Sequence, residues 1–190
     1  MSSQDNLIFD ILKSPRTVFT PQSLLLMGDN INAKSLAAKM HRYVHQGHLK
    51  NPRKGIYAKE GYRPEEMACS IFKPSYISLE YVLQRAGVVF QYDTTITSVS
   101  YLSRMVEIDG QSYSFRKIGY ELWAGMDGII TQDNVSMATP ERAFLDMLYL
   151  SAGNCYFDNL HSLNKKVLSS LLPHYQSHML AERVHQLLNL

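Results

Sequence analysis

Between Thr20 and Ala58 the chain carries an ordered run of local signals that few small architectures satisfy. Thr20-Pro21 is a hydroxyl cap followed by proline at the first helical position. It predicts a helix over 21–27 that buries Leu24, Leu25 and Met27. Gly28-Asp29-Asn30 is turn chemistry, because these residues bend the backbone or hydrogen-bond to it locally. Asn32, or alternatively Asn30, then caps a helix running to about Gln46. On that helix Leu36, Ala37, Met40, Tyr43 and Val44 form an apolar stripe, and Lys34, Ser35, Lys39, Arg42 and Gln46 face elsewhere. Gly47 stands just past its end. His48-Leu49-Lys50 and Ile56-Tyr57-Ala58 read as two strands around an Asn51-Pro52-Arg53-Lys54-Gly55 tip, with Ile56 and Tyr57 as its anchors. Upstream, Leu7, Ile8, Ile11 and Leu12 recur at helical spacing from about Asp5 to Lys13, and Ser14-Pro15 ends that helix. Thr17-Val18-Phe19 reads as a short strand. Two helices joined by a short glycine-containing turn, followed by a basic hairpin, make a winged helix-turn-helix pattern.

Charge sharpens this reading. The net charge of the 190 residues is only +2, too small to imply a nucleic-acid partner. Its distribution says more. From Asn30 to Lys59 there is no Asp or Glu, while Lys34, Lys39, Lys50, Lys54, Lys59, Arg42 and Arg53 all fall there, with His41, His45 and His48. All seventeen acids lie elsewhere. Lysine and arginine contacts to phosphate release counterions and supply most non-specific affinity. Base-edge contacts need short polar or bidentate side chains near the start of the reading helix. Asn32, Lys34, Ser35 and Lys39 are therefore the candidates for bases or close phosphates, and Arg42, Arg53 and Lys54 for the backbone or minor groove. The competing readings are a solvated basic helix and a winged module that docks on another protein. The three histidines read as surface or packing residues.

The remainder reads as α+β: a small antiparallel sheet packed with helices. Gly61-Tyr62-Arg63-Pro64 reads as a linker, dividing a domain over 1–60 from one over 64–190. Pro64 starts a helix to about Phe72, with Glu65 and Glu66 at its N-terminal end. Ser78 reads as the N-cap of a helix over 79–86. Thr94 to Ser100 alternates like a strand, and Asp109-Gly110 marks a hairpin between 105–108 and 113–115. Ile118, Leu122 and Trp123, then 128–131 and 135–138, suggest further strands. Thr139-Pro140 opens an apolar helix that Gly153 closes, and helices over 164–172 and 177–188 follow. There is no phosphate-binding glycine loop, no nucleophile elbow and no zinc-protease motif. Cys69 and Cys155 show no metal spacing. No cofactor, metal or enzymatic activity is expected. The remote alternative is a nuclease-like core using Glu121 and Asp127 near Lys117. Arg104, Arg116 and Lys117 read as exposed strand residues. No apolar run is long enough to span a bilayer and the first residues lack a signal-peptide pattern, so a cytoplasmic protein is expected.

Four stretches together resemble the AbiEi family, the antitoxin half of bacterial type IV toxin–antitoxin (abortive infection) systems. They are Val18-Phe19-Thr20, Lys54-Gly55-Ile56-Tyr57, Pro74-Ser75-Tyr76-Ile77-Ser78-Leu79-Glu80, and Ala138-Thr139-Pro140-Glu141-Arg142-Ala143-Phe144-Leu145-Asp146. The resemblance implies a transcriptional autorepressor that binds inverted repeats of double-stranded DNA in its own promoter through the N-terminal winged helix. It also implies a C-terminal domain that counteracts a nucleotidyltransferase-type toxin. Inverted repeats imply two copies on the duplex. In the last two stretches Tyr76, Ile77 and Leu79 read as core, and Ser78 and Thr139 as caps. Many members carry further C-terminal sequence, so a stand-alone regulator without antitoxin activity is the alternative within the resemblance.

Overall fold

A computed structural model describes residues 6–28, 31–119, 122, 126–151 and 155–188. The chain is α+β and divides into two compact units, Met1–Ile71 and Phe72–Leu190. Among the described residues there are eight α-helices and two sheets. None of those helices is long and apolar enough to cross a membrane.

The first unit begins with α1 (Asn6–Lys13) and β1 (Val18–Phe19), followed by α2 (Pro21–Met27) and α3 (Ala33–His45). Thr20 and Ser23 cap α2 reciprocally: the Ser23 amide donates to Thr20 Oγ1 at 3.3 Å and the Thr20 amide to Ser23 Oγ at 3.0 Å. The turn residues Asp29 and Asn30 lie outside the described residues, and it is Asn32 that caps α3, its Oδ1 accepting the Ser35 amide at 2.9 Å. At the other end the His48 amide bonds to the Tyr43 carbonyl and the Gly47 amide to that of Val44, closing the helix with paired carbonyls. Strands β2 (Lys50–Arg53) and β3 (Ile56–Ala58) form a hairpin, and the sheet order is β1-β3-β2.

The tip of that hairpin is shorter than the sequence suggests. Its first strand continues through Asn51 and Pro52 to pair Arg53 with Ile56, leaving Lys54-Gly55 as the turn, with Gly55 at φ +78. The register shifts between Lys50 and Arg53, and the Asn51 amide bridges the irregularity by donating to the carbonyls of Arg53 and Ile56. Pro52 is tolerated because β2 is an edge strand. The core of the unit unites Leu7, Ile11, Phe19, Leu24, Leu36, Met40, Tyr43 and Leu49. Of the apolar residues that the periodicity assigns, Ile8, Leu25, Met27 and Val44 are half-buried against that core, and Leu12 and Ala37 are exposed.

Helix α4 (Pro64–Ile71) lies in this first unit, beyond the Gly61–Pro64 stretch. The reason is a buried carboxylate. Glu66, 1% exposed, accepts the Thr17 amide at 2.9 Å, the Thr17 hydroxyl at 2.6 Å and Arg63 Nη2 at 3.2 Å, all on Oε2. These bonds fasten α4 to the start of β1 across 49 residues of chain. Glu66→Ala removes the acceptor shared by the half-buried Thr17 amide and hydroxyl and by Arg63, and is expected to cost about 2 kcal/mol. Urea unfolding monitored in the far ultraviolet measures this; an unchanged midpoint would rule the clamp out.

The second unit carries a six-stranded sheet of order β6-β7-β5-β4-β9-β8. Its strands are β4 (Ser75–Ile77), β5 (Ile96–Ser100), β6 (Arg104–Ile108), β7 (Gln111–Lys117), β8 (Ile129–Gln132) and β9 (Val135–Ala138). The sheet is mixed rather than antiparallel: β5 pairs parallel with β7, and β4 parallel with β9. The parallel pair arises because the β6–β7 hairpin folds back and inserts β7, not β6, beside β5. Its turn is Asp109-Gly110, with φ 51 and 78, the two positive values of a type I′ turn. Ile118 and Leu122 fall outside strands, and Trp123 lies outside the described residues. Helices α5 (Glu80–Arg85), α6 (Pro140–Leu150), α7 (Lys165–Leu171) and α8 (His178–Leu188) complete the unit, with short 3-10 turns at Leu160–Ser162 and Leu172–Tyr175. Helix α6 is capped by Thr139, whose Oγ1 accepts the Arg142 amide; Gly153 lies outside the described residues.

Ser78 does not cap α5. Leu79 occupies the cap position at φ 62 without a side-chain bond, and the Tyr81 amide donates instead to Thr97 Oγ1 at 3.0 Å. A hydroxyl on the neighbouring strand thus supplies what the local sequence was expected to supply, because Ser78 Oγ is engaged elsewhere.

Candidate nucleic-acid interface

The seven residues singled out by sequence all lie in the first unit, at the Asn32 cap, on α3 and on the β2–β3 hairpin. The hairpin is rooted beneath α3: Leu49, just before β2, shares the core with Leu36, Met40 and Tyr43. Lys34, Ser35 and Arg42 are exposed on α3, and Lys54 is exposed at the hairpin turn. Arg53 is half-buried beside it.

Two of the seven are less available than their spacing suggests. Asn32 is exposed, but its amide oxygen is the α3 cap. Lys39 is half-buried, because it lies three residues after Leu36 and at the margin of the buried face. The middle of the outward face is instead the line Lys34, Ala38, His41 and His45, at spacings of four, three and four residues, and every one of these is exposed. In the sequence His41 and His45 read as surface or packing residues. Turning the helix about the Asn32 cap would have placed them opposite Leu36, Met40 and Tyr43.

The basic stretch also divides by use. Lys50 pairs with Glu60 at 2.7 Å. Lys59 donates to the carbonyls of Leu12 and Ser14 at 3.0 and 2.5 Å, where its charge meets the C-terminal end of α1. Lys34, Arg42 and Lys54 form no ion pair among the described residues. They keep a positive surface on α3 and at the hairpin turn.

A second concentration of polar groups lies in the other unit, and it is closed to solvent. Arg142 is 1% exposed and Asp146 0%. One turn apart on α6, they pair through Nε and Oδ1 at 3.2 Å. Asp146 also accepts from Tyr175 at 2.5 Å, Ser78 at 2.8 Å and Tyr76 at 3.0 Å. The Arg142 guanidinium donates further to Tyr76 Oη and to the carbonyls of Leu122 and Asp127. Burial pushes the Asp146 carboxyl upward, opposed by Arg142 and by the hydroxyls of Tyr175, Ser78 and Tyr76. Every one of these contacts offers it a hydrogen, the pattern a carboxylate satisfies. Burial works against the Arg142 charge, and the Asp146 carboxylate overcomes it, holding the guanidinium above its usual value. Burial and the same carboxylate raise both phenols, so Tyr76 and Tyr175 remain donors. The network joins the 74–80 and 138–146 segments. In the sequence Tyr76 reads as core and Ser78 as a cap; the signal that points to the network is Arg142 and Asp146, four residues apart inside an apolar run.

Asp127 faces His174 at 3.7 Å, and Glu121 lies outside the described residues. Among the described residues no group of three or more His, Cys, Asp or Glu side chains is placed to hold a metal ion. In comparisons with known proteins, no protein-family model matches the chain and no curated protein matches it by sequence.

Proposed function

We propose that the chain is a DNA-binding transcriptional autorepressor whose first unit is a winged helix-turn-helix, with α2 and α3 as the paired helices and β2–β3 as the wing. In this reading it acts as the antitoxin of a type IV toxin–antitoxin system, binding inverted repeats in its own promoter and counteracting a nucleotidyltransferase-type toxin. The observation that carries the DNA reading is the division of basic side chains: Lys59 is spent on the carbonyls that end α1 and Lys50 pairs with Glu60 at the surface, while Lys34, Arg42 and Lys54 are exposed on α3 and the hairpin turn without an ion pair among the described residues. Such a surface is the electrostatic footprint of a phosphate-binding module. The antitoxin role rests on the resemblance of the 74–80 and 138–146 segments.

The test is a mobility-shift titration of the full chain on the duplex upstream of its own gene and on random duplex. Salt-dependent binding with preference for the upstream duplex is expected; equal binding to both would overturn the operator role. A second reading is favoured by the exposure of Phe9, Leu12 and Leu26 in the same unit. There the winged module docks on a protein, which predicts no DNA binding at low salt and co-purification with the product of a neighbouring gene.

A further inference from the structure

We propose that sequence discrimination resides in the middle of the α3 outward line, with Ala38 against a thymine methyl and His41 donating to a guanine. The helix start would then serve only to position the unit. This assignment rests on the DNA-binding reading above, and its carrier is the burial pattern of α3. Asn32 has its amide oxygen in the cap, and Lys39 is half-buried at the margin of the core face. Asn32 therefore has only its amide nitrogen left for a base, short of the two bonds that read adenine, and Lys39 is not held out from the helix. Lys34, Ala38, His41 and His45 are exposed along one line, opposite Leu36, Met40 and Tyr43.

The chemistry of that line is ordered. Ala37 and Ala38 are both exposed, and side chains this short let the helix backbone come close to base edges. A methyl group is the natural partner of the thymine C5-methyl in the major groove. Three residues further on, about 4.5 Å along the helix axis, His41 presents an imidazole, which carries at least one N–H donor in either charge state. Guanine offers two acceptors in the major groove, N7 and O6, whereas cytosine offers only a donor there. Lys34 and His45 bound the line, which spans about 16 Å against a groove about 12 Å wide. The ends therefore fall toward the phosphate rows and the middle toward the bases.

The experiment is selection of bound duplexes from a random pool by the full-length chain and by His41→Ala and Lys39→Ala, with thermal unfolding of each variant to show that it folds. The wild type is expected to enrich a motif containing a G·C pair. His41→Ala should lose the preference at that pair by about tenfold while keeping its affinity for random duplex. Lys39→Ala should keep the motif. A motif that persists in His41→Ala, or one abolished in Lys39→Ala alone, overturns the inference. Wild-type binding without any base preference also overturns it while leaving duplex binding standing. Absence of any duplex binding at low salt overturns the DNA reading itself.

Discussion

Asp146→Ala is expected to lower the unfolding free energy by about 3–5 kcal/mol, the largest effect of any single substitution in the second unit. The carboxylate is fully buried and answers one guanidinium and three hydroxyls. Without it the Arg142 charge stays buried and loses the carboxylate beside it, and the hydroxyls of Tyr76, Ser78 and Tyr175 lose the acceptor they share. The penalty comes from the groups left behind rather than from the strength of the pair. Hence the double variant Arg142→Met with Asp146→Leu, which removes both charges, is expected to be milder than Asp146→Ala alone. Urea denaturation of the two variants beside the wild type decides the matter. A loss below about 1 kcal/mol in the single variant would mean that the pair behaves like a surface salt bridge.

The second large effect follows from the DNA-binding role proposed above. Removing Arg42, Arg53 and Lys54 together is expected to weaken binding to any duplex by two to three orders of magnitude at about 0.1 M salt. The plot of log affinity against log salt should flatten by about 2.7, at about 0.9 for each phosphate that is no longer neutralised. Lys50→Ala is the matched control, since Lys50 already pairs with Glu60 at 2.7 Å and its removal should leave the slope alone. Salt titrations of the two variants measure both numbers. An unchanged slope in the triple variant would remove these residues from the interface.

Local chemistry made much of the fold readable. Thr20-Pro21, the Asn32 cap and Thr139-Pro140 each fix a helix start within a few residues, and Asp109-Gly110 admits little but a tight hairpin. What escaped is non-local. Glu66 reads as a helix-dipole residue, yet it reaches back to Thr17 and decides which unit owns α4. Ser78 reads as a cap, yet its hydroxyl turns to Asp146, 68 residues away. The parallel placement of β7 beside β5 likewise has no signature in either strand. On α3 the residue types were readable, but the helix phase that buries half of Lys39 and presents His41 depends on how the core seats Leu36 and Met40.

The confinement of the first unit to residues up to Ile71 bears on how a newly made chain matures. The core residues Leu7 to Leu49, and Glu66 that bonds to Thr17, have left the ribosome before Asp146 is translated, and Tyr76 and Ser78 must wait for that residue. At about 5–20 residues per second, the interval between the two events is on the order of several seconds. Vectorial synthesis therefore favours a nascent chain whose basic unit has closed while the second unit is still open. In the function proposed above, operator occupancy would be the earlier competence of each molecule and toxin control the later one.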